Sequence, residues 1–272
     1  MIRPLPRRAC SVLQRLACVV LALMLLPAAG TTERSASARS DDGLPLTPTF
    51  AGPVDLELVL LADATGSIDD REIAFQRRGY ATAITDARVL DAIRYTGRGR
   101  IAVTYVEWAD AGSQDVIVPW TIIDGKAGAK AFAEALMLPP RRAWGRNAIG
   151  AALLAGKRLI EENGIEATRR VIDFSADSAN NWNGPPIAVA RQKVLDAGIT
   201  VNGLAVLCRG CSGRPVDYDL EEAFETQIVG GPGAFVITAD SAETFADAVR
   251  RKLILEIAGM AAPLDTALSG AR

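Results

Sequence analysis

Asp63, Thr65 and Ser67 alternate within LLADATGSIDD, so a carboxylate and two hydroxyls fall where an apolar run stops. All three are hard oxygen donors, the kind that Mg²⁺, Mn²⁺ and Ca²⁺ prefer. A strand ending at Asp63, followed by a turn at Gly66, lets them converge above the strand end. One carboxylate holds such an ion poorly, so neighbouring strand ends must add oxygen. Asp177 closes the strand-like RRVIDFSAD, and Asn147 stands just before the helix-like AIGAALLAG. The candidate metal site is therefore Asp63, Thr65, Ser67, Asn147 and Asp177. A plainer account is also available: Ser67, or Asp69 with Glu72, caps a helix, while Asp63 and Asp177 satisfy loop N–H groups. Asp69 and Asp70 read as helix-start charges, favourable against the dipole, rather than as ligands.

Composition narrows the chemistry. The 272 residues carry a net charge of −2 and no histidine. Nucleic-acid binding needs a basic face and has no support here. Without histidine, Ser-His-Asp and Cys-His catalysis and histidine metal ligands are excluded. No glycine-rich phosphate cradle follows the first strand, which argues against a nucleotide site.

These residues are positioned by alternating strand and helix patterns. VDLELVLLAD is a buried strand, and DDREIAFQRRGYATAITDARVLDAI is amphipathic at helical spacing. RIAVTYVEWA and DVIVPWTII form a hairpin across DAGSQ, and Pro119 suits an edge strand, where a missing N–H costs least. GAKAFAEALM and NAIGAALLAGKRLIEENG are helices; RRVIDFSAD and ITVNGLAVLC are strands. PPIAVARQKVLDAG has the proline-first, glycine-last polarity of a helix. DLEEAFETQIV, GAFVITAD and SAETFADAVRRKLILEIAG close the pattern as helix, strand and helix; Ser241 gives the last only a partial capping box, since Glu243 is one residue early. The expected fold is α/β: a doubly wound, mainly parallel sheet with one antiparallel edge strand and helices on both faces. In such sheets ligands bind outside the carboxyl ends of the strands, where strand order reverses.

Residues 1–30 read as a signal peptide. Four arginines precede the apolar run LACVVLALMLLPAAG, which is about 14 residues, short of the roughly 20 needed to span a bilayer. Small residues near Gly30 suit cleavage, so the mature chain is expected outside the cytoplasm, periplasmic or secreted, with no stable membrane span. Residues 31–52 read as a linker, 53–259 as the domain and 260–272 as a flexible tail. Cleavage leaves Cys208 and Cys211, most simply a disulfide in an oxidising compartment. Trp108 and Trp120 read as sheet packing, Trp182 as a residue beside the Asp177 loop. The cluster Arg141, Arg142 and Arg146 reads as solvated surface, or else as an attractor for an acidic partner.

DATGS resembles the Asp-x-Ser-x-Ser signature of the von Willebrand factor type A (VWA) domain and its metal-ion-dependent adhesion site. LLADATGSID, VTYVEWAD, RRVIDFSADSANN and FVITAD are similar to an uncharacterised subset of bacterial exported proteins with this domain. The resemblance covers residues 54–258. It implies that Asp63, Thr65 and Ser67 take the first-loop roles, Asn147 the place of the second-loop threonine, and Asp177 that of the third-loop aspartate. Thr65 keeps the hydroxyl of the usual serine; Asn147 offers an amide oxygen instead of a hydroxyl; Ser178 replaces a frequent glycine. It further implies a divalent cation, Mg²⁺ first and Mn²⁺ or Ca²⁺ next, and a partner protein that supplies an Asp or Glu. The function expected is metal-gated protein binding rather than catalysis. A metal-dependent hydrolase and a scaffold whose metal site has lapsed are the alternatives.

Overall fold

The computed structural model describes residues 52–208 and 216–259. The signal-like segment, the linker up to Ala51, Cys211 and the tail from Met260 lie outside the described residues. Among the described residues six strands form one sheet in the order β3-β2-β1-β4-β5-β6. They are β1 (Val54–Asp63), β2 (Ile101–Trp108), β3 (Gln114–Ile123), β4 (Ala167–Ala176), β5 (Thr200–Val206) and β6 (Val236–Ala239). All neighbours are parallel except β2 and β3, and β3 is an edge strand. Pro119 lies on it, exposed, as its missing N–H requires.

The helices are α1 (Asp70–Ile84), α2 (Ala87–Arg94), α3 (Lys126–Met137), α4 (Ile149–Glu161), α5 (Ile187–Asp196), α6 (Leu220–Gln227) and α7 (Ala242–Ala258). The stretch from Asp69 to Ile93 reads as one amphipathic pattern but forms two helices. Asp86 breaks it by accepting the Arg88 N–H and capping α2. α7 carries a complete capping box, because Thr244 reaches back to the Ser241 N–H in place of the glutamate that the motif usually supplies.

β1 is buried along its whole length, and its alternate residues feed two cores. Leu56, Leu58 and Leu60 pack with Tyr80, Phe132, Phe245 and Leu253 on one side; Val59 and Leu61 pack with Trp108, Leu153, Phe174 and Phe224 on the other. Trp108 stacks on Phe174 with centroids 5.0 Å apart. Full burial stabilises each such side chain by roughly 1.5–3 kcal/mol, and Phe174→Ala would cost about 3–5 kcal/mol. Lys252 was not anticipated: its ammonium is inaccessible and lies 2.6 Å from Asp173 and 2.7 Å from Glu256. Among the described residues no helix is long and apolar enough to cross a membrane.

Candidate functional site

From β1 the chain first goes to β2 and β3 on one side, then returns to β4 on the other, so strand order reverses between β1 and β4. Asp63 ends β1, and Asp177 follows the last residue of β4. The register pairs Ala62 with Ser175, which puts the two carboxylates at adjacent strand ends. They meet there. Asp63 Oδ1 accepts the Thr65 N–H at 2.8 Å, and the Thr65 hydroxyl and the main chain and carboxyl of Asp177 lie beside the same carboxylate. Asp63 Oδ2 is buried with no donor in hydrogen-bonding geometry among the described residues.

Burial pushes the Asp63 carboxyl up to about 6 against the pull of these hydrogen bonds. Asp177 rises further, to about 8, through burial first and the adjacent Asp63 charge second. Two carboxylates pressed together in low dielectric cannot both ionise cheaply, so without a cation they hold a proton near neutrality.

Thr65 is buried and its Oγ1 lies 3.1 Å from Ser67 Oγ, while Ser67 is exposed. The Ile68 N–H closes the turn onto Thr65 O at 3.0 Å, and the Gly66 N–H crosses to Gly145 O at 2.8 Å. A Cβ at position 66 would stand 3.4 Å from that oxygen, an ordinary contact, so the close approach of the two loops does not itself require glycine. Asp69 is a helix cap, as expected: it accepts from the N–H groups of Arg71 and Glu72, and Glu72 accepts from the Asp69 N–H.

Asn147 is buried and tied to the Asp177 loop. Its Nδ2 donates to Ser178 Oγ at 2.9 Å, and its carbonyl accepts the Trp182 N–H at 2.8 Å. Ser178, a departure from the glycine of the resemblance, thereby finds a use: it orients the amide. Tyr218 OH accepts the Ala179 N–H at 2.8 Å and holds the same loop from β5's side of the molecule. Trp182 is exposed at the rim, with the Arg146 guanidinium 5.2 Å from its ring centre.

One member of the basic cluster departs from expectation. Arg142 and Arg146 are exposed, but the Arg141 side chain is only 6 % accessible and binds backbone of the first loop. Sequence reasoning missed it because Arg141 and Arg142 look alike along the chain.

The donor set fits a hard divalent cation on three counts. Two carboxylates meet, one of their oxygens is buried without a donor among the described residues, and the Thr65 hydroxyl stands beside them, 3.1 Å from that of Ser67. Among the described residues no third carboxylate, histidine or thiol joins them. The pair's two negative charges would neutralise a dication.

Solved structures share the fold. The proximal thread matrix protein 1 from the mussel byssus, in a form with a zinc-occupied MIDAS motif, is 16% identical with a TM-score of 0.55 over 76% of this chain and 48% of that chain. The vWF domain of the type V pili tip protein Mfa5 from Porphyromonas gingivalis is 11% identical with a TM-score of 0.51 over 78% and 98%. The pilus adhesin SpaC from Lactobacillus rhamnosus GG is 14% identical with a TM-score of 0.52 over 76% and 31%. The chain thus spans about half the length of the thread matrix protein and about a third of SpaC. At such identities the likeness establishes the VWA fold alone. No curated protein sequence matches the chain. The family described as "Protein of unknown function (DUF1194)" matches residues 53–261, and on that match and this fold the chain belongs to it, as a VWA-like member.

Proposed function

We propose that this chain is an exported recognition module in which Asp63, Thr65, Ser67, Asn147 and Asp177 hold a hard divalent cation, Mg²⁺ by preference and Mn²⁺ or Ca²⁺ as substitutes. The observation that carries the reading is the meeting of Asp63 and Asp177 at the switch point with Asp63 Oδ2 buried and without a hydrogen-bond partner among the described residues. A bound dication would supply an electrophilic centre for one further carboxylate oxygen. Asp63 and Asp177 provide the charge. Thr65 orients Asp63 through its N–H, and Ser178 turns the Asn147 amide so that Oδ1 keeps no hydrogen-bond partner among the described residues. The partner is a protein that presents an Asp or Glu at this rim. Two of the structural neighbours add support: the thread matrix protein carries an occupied MIDAS motif, and SpaC is a pilus adhesin.

Calorimetric titration of Mn²⁺ and Mg²⁺ into the wild type and Asp63→Ala tests the site. Heat of binding in the wild type and none in Asp63→Ala is the expected result; partner capture that persists in excess EDTA would sink the metal-gated reading. The hydrolase alternative is tested on the same preparation: turnover of phosphate or ester substrates that disappears in Asp177→Ala would favour it. Export is tested by the mass of the mature chain after expression with residues 1–30 intact. The proposed Cys208–Cys211 staple is tested by a two-dalton mass change on reduction.

A further inference from the structure

We propose that Arg141 is a positioning residue that sets the shape of the Ala64–Ile68 turn and, through it, the aim of Asp63. The inference deepens the cation reading above and rests on it for its purpose, though not for its geometry. Arg141 follows Pro139 and Pro140, in the link between α3 and α4. Its guanidinium donates to Ile68 O at 2.6 Å through Nη1, to Ala64 O at 2.5 Å and Thr65 O at 2.8 Å through Nη2, and to Ala143 O at 3.0 Å through Nε. The Trp144 ring covers it, with its centre 3.9 Å from Cζ. The nearest carboxylate is that of Asp70, which is largely exposed and 3.7 Å away. A buried cation is thus held almost entirely by main-chain oxygens, three of them from one turn.

The consequence follows from the planarity of the peptide. In a trans unit the C=O and the next N–H point in opposite directions. Drawing Ala64 O toward Arg141 sends the Thr65 N–H the other way, and there it meets Asp63 Oδ1 at 2.8 Å. Drawing Thr65 O toward Arg141 likewise sends the Gly66 N–H to Gly145 O at 2.8 Å. One guanidinium therefore fixes two successive peptide planes. The first plane orients the carboxylate, and the second seals the turn against the loop that carries Asn147. An ammonium cannot copy this, because a point charge on a flexible stem lacks the planar fork that reaches several carbonyls at once.

The experiment compares the wild type, Arg141→Lys, Trp144→Ala and the exposed control Arg142→Lys. Hydrogen exchange is read in EDTA, and Mn²⁺ affinity by calorimetry. In Arg141→Lys the Thr65 and Gly66 amides should exchange at least ~10-fold faster while Val59–Ala62 in β1 stay protected, and Mn²⁺ should bind at least ~10-fold more weakly. Trp144→Ala, which uncovers the guanidinium without removing it, should move both readouts the same way by about 3-fold; Arg142→Lys should move neither. A general loss of structure would raise exchange throughout β1, so it is told apart from a positioning effect. Thr65 and Gly66 exchange that stays at the wild-type rate in Arg141→Lys overturns the inference, and so does unchanged Mn²⁺ affinity in a wild type that binds the ion. A wild type that binds no Mn²⁺, with the exchange contrast intact, sinks the cation reading and leaves Arg141 as the residue that orders the turn. Should Arg141→Lys fail to fold, Trp144→Ala decides by the same two readouts.

Discussion

Proton release should accompany cation binding, in a number set by the Asp63–Asp177 pair. In the metal-free protein the pair titrates near 6 and 8. Ligands must be ionised to hold a dication, so binding expels whatever protons the pair carries. At pH 7 the pair holds about one proton, and at pH 5 about two. The apparent Mg²⁺ or Mn²⁺ affinity should therefore fall roughly a thousandfold between pH 7 and pH 5, and by only about tenfold between pH 8.5 and pH 7. The assay is calorimetry in buffers of different ionisation enthalpy, whose slope gives the number of protons released. Folding stability supplies an independent sign. Both carboxyls are raised, so their contribution in the metal-free protein is complete below about pH 4 and is lost as pH rises through 6 to 8. The cation offsets that loss, so the thermal shift it causes should grow with pH over the same range. Affinity that changes less than about threefold from pH 5 to pH 7, or binding without proton release, would refute the reasoning that the two carboxylates share one site.

Three other perturbations report on the scaffold. Lys252→Met leaves Asp173 and Glu256 buried without their cation and should destabilise the fold by about 3–5 kcal/mol in urea titration, whereas a loss below about 1 kcal/mol would show that the buried ion pairs carry little. Gly150 sits in the first turn of α4 with the Pro185 carbonyl where a Cβ would stand, so Gly150→Ala should cost about 1–3 kcal/mol by forcing the 184–186 loop outward; an unchanged melting temperature would contradict that close approach. Burial raises the Glu57 carboxyl to about 7 although Asn163 donates to it and Arg170 attracts its charge. Its contribution is therefore complete below about pH 4.5 and lost as pH rises toward 7; Glu57→Gln should flatten that decline by on the order of 2 kcal/mol, and an unaltered pH profile would refute the assignment.

Much of the site is a local pattern. Asp63 and Asp177 each end an apolar run of strand length, and runs of that kind interleaved with amphipathic stretches already specify a mainly parallel sheet. Asp69 with Glu72 reads as a capping box and forms one. A single residue defeated the reading between α1 and α2, because Asp86 caps a new helix inside a continuous amphipathic pattern. Lys252 escaped notice for a similar reason. A lysine in a helix is ordinarily solvated, and its burial against Asp173 depends on which turn of α7 faces β4.

By itself the sequence determined the order of the elements, the strand ends that carry oxygen donors and the absence of histidine chemistry, since each depends on residue type and short-range period. Only the tertiary structure decided that strand order reverses between β1 and β4, so that two carboxylates far apart in the chain share one buried place. It also separated Arg141 from Arg142: one guanidinium is buried against carbonyls more than seventy residues earlier, and its neighbour stays in water. Backbone oxygens have no signature in a sequence, because every residue carries one, and which of them converge is settled by how loops pack.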